Sequence, residues 1–221
     1  MTYILGARCI DGVALIADKI VTIDDGKEKS LTTKLFSDFD NRIIGYSGSR
    51  VYFEKFLNQI HIKITPDLTN YEFLKVLSDE MDSYSKYKNF LFDIIIAIYD
   101  NKNSKAILKY LPSYGGISTC DTYEVIGSGK PYGMQFLRKY WNKSLNMHEV
   151  GYLGYFIIKL IEINGLDLTV GTQNEYPSIW FIPDTSKPFQ PTDIILKEYE
   201  RTIQNKVEEY NKINSNFKII P

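Results

Sequence analysis

Apolar residues form short, near-continuous runs along much of the chain. These runs cover residues 3–9, 13–18, 33–37, 42–47, 90–99, 105–111, 123–126 and 178–182. Runs of this length, bounded by turn residues, are typical of strands that are buried on both faces. Between the first two runs, Asp11-Gly12 is expected to supply the positive φ of a tight hairpin. The pattern therefore predicts buried strands, the first two of which form a hairpin.

Between the strand runs, apolar residues recur at helical spacing. Helices are predicted from Ser49 to about residue 60, from about Thr69 to residue 81, and over 131–142, 148–164 and 192–212. The Ser49 hydroxyl is expected to cap the first helix, and the charged stretch 24–30 is expected to be a solvated loop. Strands and helices occur in groups and do not alternate, which favours an α+β fold with sheets between helix layers.

The composition is that of an ordinary globular protein. The 221 residues carry a formal net charge of −1, which gives no electrostatic reason to expect nucleic acid or an anionic membrane as a partner. No apolar stretch approaches the length of a membrane span, and we expect no signal peptide. We expect one domain at 1–183, followed by a linker and a C-terminal helical extension at 184–221.

The cysteines and histidines are too sparse to suggest a cofactor site. Cys9 and Cys120 lie far apart in the sequence, so a reducing cytoplasm is the simplest location. His61 and His148 have no cysteine or acidic partner at metal-ligand spacing. We therefore expect neither a metal nor another cofactor.

The start of the chain carries the candidate chemistry. If Met1 is removed, Thr2 has a hydroxyl and a free α-amine on one residue. An α-amine has a pKa of about 8 and can accept the hydroxyl proton at neutral pH, so Thr2 would be a nucleophile with its own base. Downstream, Asp18 closes an apolar run, Lys34 opens another, and Gly48 follows a third. Each feature alone is common, and it is their order that is informative.

This order of residues resembles the β-type subunits of the 20S proteasome family, which are N-terminal-nucleophile hydrolases. The spacings between Thr2, Asp18, Lys34 and Gly48 match those of the family without a gap. The resemblance rests on segments 2–18, 32–36, 46–49 and 126–133, with a weaker match at 167–171. It covers about residues 2–183 and implies a four-layer αββα sandwich, the fold of the N-terminal-nucleophile hydrolases.

The resemblance also implies a threonine-type peptidase, with a role for each matching residue. Thr2 Oγ would attack the scissile carbonyl and form an acyl-enzyme. Lys34 would lower the pKa values of the amine and the hydroxyl, and Asp18 would keep Lys34 charged and in place. The backbone N–H of Gly48 would stabilise the oxyanion. Two further residues would position the amine and the attacking water: Ser128 and Asp167.

Substrate contacts and partners follow from the same resemblance. The substrate strand and the first specificity pocket would be lined by Val21, Thr22, Tyr46 and Arg50. The expected substrate is a peptide or an unfolded protein. The expected assembly is a homo-oligomeric ring, a complex with α-type proteasome subunits, or both, with neither nucleic acid nor a membrane as partner.

Departures from the family pattern affect the residues around Thr2. Val170 stands where the family usually has a serine, so one hydroxyl near the nucleophile would be missing. Thr169 is adjacent but would point elsewhere if the register holds. Tyr3 replaces the small hydroxyl residue that usually follows the nucleophile. No glycine precedes Thr2, so methionine aminopeptidase, and not self-cleavage, would expose the amine.

These departures leave two alternatives to the peptidase. The chain could be a catalytically inactive structural subunit with a proteasome-like fold. It could instead be a stand-alone homologue whose acyl-enzyme reacts with an amine, as in a transpeptidase, or one that cleaves a narrow range of amides. A ring assembly would favour the peptidase, whereas a monomer would favour either alternative.

Overall fold

Two antiparallel sheets stack face to face in this computed structural model, which describes residues 2–23, 28–39, 41–65, 68–86, 92–173 and 175–216. The first sheet has the strand order β10–β1–β2–β11, formed by β1 Ile4–Arg8, β2 Gly12–Ala17, β10 Tyr123–Ile126 and β11 Ser178–Pro183. The second has the order β5–β6–β7–β8–β9, formed by β5 Leu35–Phe39, β6 Arg42–Gly48, β7 Phe92–Asp100, β8 Lys105–Leu111 and β9 Ser118–Thr119. A separate ribbon pairs β3 Ile20–Ile23 with β4 Glu28–Leu31.

Helices cover the outer face of each sheet. In the described part of the chain there are five: α1 Arg50–Lys63, α2 Asn70–Ser85, α3 Lys130–Tyr140, α4 Met147–Ile163 and α5 Asp193–Asn216. The apolar faces of α1 and α2 pack on the second sheet. Those of α3, α4 and α5 pack on the first sheet. No helix of the described residues is long and apolar enough to cross a membrane.

Side chains alternate along the strands between two different cores, as the strand geometry requires. In β1, Leu5 packs in the core beneath α3, α4 and α5, whereas Ile4 packs between the two sheets. In β7, Ile94 packs against α1 and α2, whereas Ile95 faces the first sheet. Both faces of each sheet are therefore buried, which explains the near-continuous apolar runs. The predicted α+β class and four-layer αββα sandwich are confirmed.

A glycine in β1 lets the sheets approach closely near the start of the chain. A Cβ atom on Gly6 would lie 2.8 Å from Ile95 Cγ2 and 2.9 Å from Leu108 Cδ1, both in the second sheet. Any side chain here would push the sheets apart a few residues from Thr2. The close packing of the sandwich thus fixes the strand that carries the candidate nucleophile.

The structure also corrects some of the predicted elements. Strand β4, Glu28–Leu31, pairs with β3 and includes residues 28–30 of the expected loop at 24–30. Residues 24–27 lie outside the described part. This ribbon belongs to neither stacked sheet, so it needs no alternating apolar pattern and its sequence gave no strand signal. The tail helix is longer than expected and runs over Asp193–Asn216, with Ile203 and Val207 buried in the core beneath it.

Helix caps differ from one another in a way that the sequence did not reveal. Asn146 forms a full capping box at the start of α4, accepting a hydrogen bond from the Glu149 N–H at 2.9 Å. The Glu149 side chain in turn accepts one from the Asn146 N–H at 2.8 Å. Ser49 is the N-cap residue of α1, but its hydroxyl makes no capping hydrogen bond. The expectation that the Ser49 side chain caps this helix was therefore wrong.

This difference predicts unequal costs for two alanine substitutions. Asn146→Ala removes a hydrogen bond to an otherwise unpaired helix N–H and should lower the free energy of unfolding by about 1 kcal/mol. Ser49→Ala removes no such bond and should change it by less than about 0.5 kcal/mol. Urea unfolding monitored by circular dichroism measures both values. Equal losses for the two variants would contradict the assignment of the caps.

Candidate active site

Thr2 is buried at the entrance to β1 and is anchored by one loop on both its backbone ends. Its nitrogen donates a hydrogen bond to Ser128 Oγ at 3.3 Å, and its carbonyl oxygen accepts one from the Gly129 N–H at 3.2 Å. Gly127 comes equally close, because a Cβ atom there would lie 1.9 Å from Thr2 O. Only glycine fits this position, which also has φ of +101°. The loop between β10 and α3, residues 127–129, therefore holds Thr2 in place, and we call it the clasp loop.

A buried ion pair lies beside the next residue along the chain. Asp18 follows β2, and Lys34 precedes β5; Lys34 Nζ lies 2.7 Å from Asp18 Oδ1. The same carboxylate oxygen accepts a hydrogen bond from the Tyr3 N–H at 2.7 Å. Lys34 Nζ also donates to Ile20 O at 2.6 Å. A single oxygen atom thus links the lysine to the backbone that leads directly from Thr2.

Burial governs the protonation of this pair. The Asp18 and Lys34 side chains are 0% and 1% exposed. Burial raises the pKa of the Asp18 carboxyl and lowers the pKa of the Lys34 ammonium, because it disfavours the charged form of each. Their mutual attraction and hydrogen bond oppose both shifts. The lysine is therefore easier to deprotonate than a surface lysine, and its charge depends on Asp18.

A second polar chain reaches the Thr2 nitrogen. Thr169 Oγ1 donates a hydrogen bond to Asp167 Oδ1 at 2.5 Å and lies 3.4 Å from Ser128 Oγ, the atom that accepts from Thr2 N. The expectation that Thr169 points away from the site was therefore wrong. The Asp167 carboxylate also accepts from the Thr169 N–H at 2.9 Å, and this local turn aims the threonine hydroxyl at Ser128. An Asp two residues before a Thr is the signal that could have shown it.

Val170 has a packing role where a hydroxyl was expected. It is 1% exposed and belongs to the core that also contains Tyr3. A Cβ atom on Gly129 would lie 3.0 Å from both Tyr3 Cβ and Val170 Cγ2, so the valine, the tyrosine and the clasp loop pack together. The hydroxyl that lies beside Ser128 is that of the neighbouring residue, Thr169.

The hydrogen bonds to Asp167 control its charge. Partial burial acts to raise the pKa of this carboxyl, but the hydrogen bonds from Thr169 and Ser128 outweigh burial and hold the pKa below its usual value. Asp167 is therefore ionised at neutral pH. An anion at the end of this chain favours a positively charged group at Thr2 N, as an α-ammonium would be.

Gly48 ends β6 at the edge of a cavity next to Thr2. Its φ of +127° is a conformation that other residues rarely adopt. The cavity has a volume of about 360 Å³, and both Gly48 and Ser128 line it. A Cβ atom on Gly127 would meet Ser47 Oγ at 3.1 Å as well as Thr2 O, so the end of β6, the clasp loop and Thr2 adjoin. The cavity therefore borders the loop that holds Thr2.

The residues expected to line the substrate strand and the first pocket are not all together. Tyr46 is 3% exposed and stacks on Phe53, with 3.8 Å between ring centroids, inside the core beneath α1. Arg50 is exposed at the start of α1 and donates to Thr32 Oγ1 at 3.3 Å and to the Glu54 carboxylate. Val21 is half-buried on β3. The side chain of Thr22, on the same strand, lies outside the described part.

The described residues offer no evident metal site. Among them, no group of three or more histidine, cysteine, aspartate or glutamate side chains could hold a metal ion. Asp18 and Asp167, the two carboxylates near Thr2, each already accept hydrogen bonds from protein donors. The hydroxyl, ammonium and carboxylate groups near Thr2 are of the kinds that perform nucleophilic and acid–base chemistry.

The chain is similar to known proteins in both sequence and fold. The family model described as "Proteasome subunit" matches residues 2–162. Anbu (ancestral beta-subunit) from Yersinia bercovieri has a TM-score of 0.76 at 14% identity, with 99% of each chain covered. Anbu from Hyphomicrobium sp. strain MC1 has a TM-score of 0.72 at 17% identity, covering 99% of this chain and 98% of that chain. No curated protein matches the chain in sequence.

Replacing the glycine that contacts Thr2 should cost more than replacing a glycine with the same strain and free space. Gly127→Ala places an alanine in a left-handed backbone conformation and brings its Cβ atom into a clash with Thr2 O. Gly116→Ala has a similar backbone conformation, at φ +79°, but nothing lies within 4 Å of the added Cβ atom. We expect Gly116→Ala to lower the free energy of unfolding by about 1 kcal/mol and Gly127→Ala by about 3 kcal/mol. Urea unfolding measures both. Equal losses would show that Thr2 is not held by this loop.

Breaking the buried ion pair should be far more costly than breaking an exposed one. Lys34→Met leaves the Asp18 charge buried without its partner and should destabilise the protein by about 3–5 kcal/mol at neutral pH. Lys19→Met is a matched control, because Lys19 pairs with Glu175 at 2.7 Å on the surface. Its cost should not exceed about 1 kcal/mol.

The loss in Lys34→Met should also depend on pH. Without Lys34, the Asp18 carboxyl loses the attraction that opposes burial, so its folded-state pKa rises further above its unfolded value. The Asp18 carboxyl of the folded variant then binds its proton more tightly than that of the unfolded chain. The stability of the variant therefore falls as the pH rises from the unfolded-state pKa of Asp18 to its folded-state pKa. From about pH 4 to pH 7, the stability of the variant should fall relative to wild type. A constant difference would contradict an ionised Asp18 in the wild-type protein.

Proposed function

This chain belongs to the proteasome subunit family, and we propose that it is an N-terminal-threonine peptidase whose nucleophile is Thr2. Removal of Met1 would make the Thr2 nitrogen a free α-amine. The observation that supports the proposal most strongly is the double anchoring of this residue: its nitrogen bonds Ser128 Oγ at 3.3 Å and its oxygen bonds the Gly129 N–H at 3.2 Å. Such anchoring would hold the amine and hydroxyl of one residue in a fixed geometry.

In the acylation step, Thr2 Oγ attacks the carbonyl carbon of a peptide bond. A C–O bond forms, and the hydroxyl proton passes to the α-amine, which acts as general base. The C–N bond then breaks as the α-ammonium gives this proton to the leaving nitrogen. The step yields an ester on Thr2 and a released peptide with a new amino terminus.

Two groups stabilise the charges that develop during this step. The Lys34 ammonium favours the deprotonated forms of the hydroxyl and the amine by its charge. It is held by Asp18 Oδ1, at 2.7 Å, which also holds the Tyr3 N–H at 2.7 Å. The backbone N–H of Gly48 serves as the oxyanion donor. Lys34 thus contributes to the reaction through its charge, and Asp18 by maintaining it.

In the deacylation step, water attacks the ester and passes a proton to the α-amine. The bond from the carbonyl carbon to Thr2 Oγ breaks, and that proton returns to the Thr2 oxygen, which restores the free enzyme. Ser128, Thr169 and Asp167 orient the amine and the water. The Asp167–Thr169–Ser128 chain supports this role, because it ends on the atom that accepts from Thr2 N.

We propose a peptide or unfolded protein as substrate and a ring of subunits as the assembly, in the cytoplasm. In this proposal residues 1–183 form the peptidase domain, and 184–221 are a linker and a helical extension. Within the extension, α5 is packed against the domain, since Tyr199, Ile203 and Val207 are buried in its core. The opposite, exposed face of α5 is therefore a surface on which neighbouring subunits could assemble.

The proposal is tested by the intact mass of the protein from its native host, before and after a peptide epoxyketone. This reagent reacts with both the hydroxyl and the amine of one N-terminal threonine. We expect a mass lower by one methionine, which then rises by one inhibitor. Thr2→Ala should lose Met1 but form no adduct. Thr202→Ala, on the exposed side of α5, is the matched control and should form the adduct as wild type does.

Retention of Met1 with no adduct would contradict the proposal and favour the inactive structural subunit. An adduct on Thr2→Ala would show that another nucleophile reacts. Size-exclusion chromatography with light scattering, on the same sample, distinguishes a ring from a monomer. A reactive monomer would favour the stand-alone transpeptidase or amidase over the ring peptidase.

A further inference from the structure

The proposed proton transfers indicate on which side of Thr2 the leaving peptide lies. The leaving nitrogen receives its proton from the Thr2 amine, so the residue that follows the scissile bond must lie on the side of that amine. Thr2 N is 3.3 Å from Ser128 Oγ, and Ser128 lines the cavity of about 360 Å³ that also reaches Gly48. This cavity therefore borders the leaving side of the substrate.

The cavity has two charged residues in its wall, Asp93 on β7 and Lys130 at the start of α3. The charge of Lys130 is already compensated, because its Nζ lies 2.8 Å from Glu124 Oε1. Within the described ranges, no cationic side chain forms an ion pair with Asp93. The lining thus carries one cation and one anion, but Glu124, outside the lining, compensates the cation, so Asp93 is the lining charge whose side chain has no ion-pair partner among the described residues.

The orientation of this carboxylate is fixed by the backbone. Asp93 Oδ1 accepts a hydrogen bond from the Ser113 N–H at 3.0 Å, and the neighbouring Phe92 is 1% exposed and anchors β7 in the core. The Asp93 carboxylate is therefore held at the cavity by its strand and by this hydrogen bond. The volume is at the small end of the range for ligand pockets, about 300–1,000 Å³, which suits one long side chain.

We propose that this cavity is the subsite for the residue immediately after the scissile bond, and that Asp93 selects a lysine or arginine side chain there. The inference rests on the proposed peptidase function and adds its substrate preference on the leaving side. A cationic side chain gains the attraction of Asp93, whereas a glutamate is repelled by it. Asp93 contacts the leaving part of the substrate and acts as a specificity residue.

The test uses three internally quenched peptides that share the same residues before the scissile bond. They differ in the residue immediately after it, which is lysine, glutamine or glutamate. Wild type should cleave the lysine peptide with a kcat/KM about tenfold above that for the glutamate peptide, because attraction and repulsion add. In Asp93→Asn the ratio should fall to about one to two, while Asp93→Glu should largely keep it. Asp121→Asn, at an exposed carboxylate elsewhere, should leave the ratio unchanged.

Two further measurements keep the inference falsifiable. Lys130→Gln removes the cation that compensates Glu124 and should raise the lysine-to-glutamate ratio. Added salt should lower the wild-type ratio, because the cavity is open to solvent. Equal cleavage of the three peptides by a wild-type protein that forms the epoxyketone adduct would overturn the subsite alone. Absence of that adduct would overturn the proposed function and the subsite with it.

Discussion

The candidate site depends on one buried ion pair. A lysine and an aspartate that are 1% and 0% exposed can remain charged only if each holds the other, and Lys34 and Asp18 lie at the ends of strands from different sheets. Asp18 Oδ1 joins them to the Tyr3 N–H at 2.7 Å, and Lys34 Nζ joins them to Ile20 O at 2.6 Å. The pair thus fixes where the first sheet, the second sheet and the β3–β4 ribbon meet. Thr2 lies next to that point, one residue before Tyr3.

The carbonyl group of Thr2 itself is held by backbone atoms. Gly127 and Gly129 let the clasp loop contact Thr2 O and Tyr3 without a side chain between them. The polar chain from Asp167 reaches the Thr2 nitrogen through two hydroxyls. A buried cation and an ionised carboxylate therefore both lie near one residue. In the proposed mechanism Lys34 would favour loss of a proton from Thr2, and Asp167 would favour a positively charged amine, which together would suit a nucleophile that passes its proton to its own amine.

Much of the fold could be predicted from the sequence, because strands buried on both faces leave a strong apolar pattern. Ile94 and Ile95 show why: neighbours on one strand face different cores, and both must be apolar. The β3–β4 ribbon lacks this signal because it lies outside the stacked sheets. The missing Ser49 cap was equally hidden, since whether a hydroxyl turns toward a helix N–H depends on packing around it. Tyr46 stacks inward on Phe53, and no local pattern reveals which way an aromatic at a strand end turns.

Thr169 shows why a site has to be read from geometry and not from positions alone. Counting residues assigns the supporting hydroxyl to position 170, where this chain has valine. The turn made by Asp167 and the Thr169 N–H instead brings the Thr169 hydroxyl to Ser128, and Val170 then fills the space beside Tyr3. The exchange needs both residues at once: a hydroxyl at 169 without an apolar residue at 170 would leave a gap in the core.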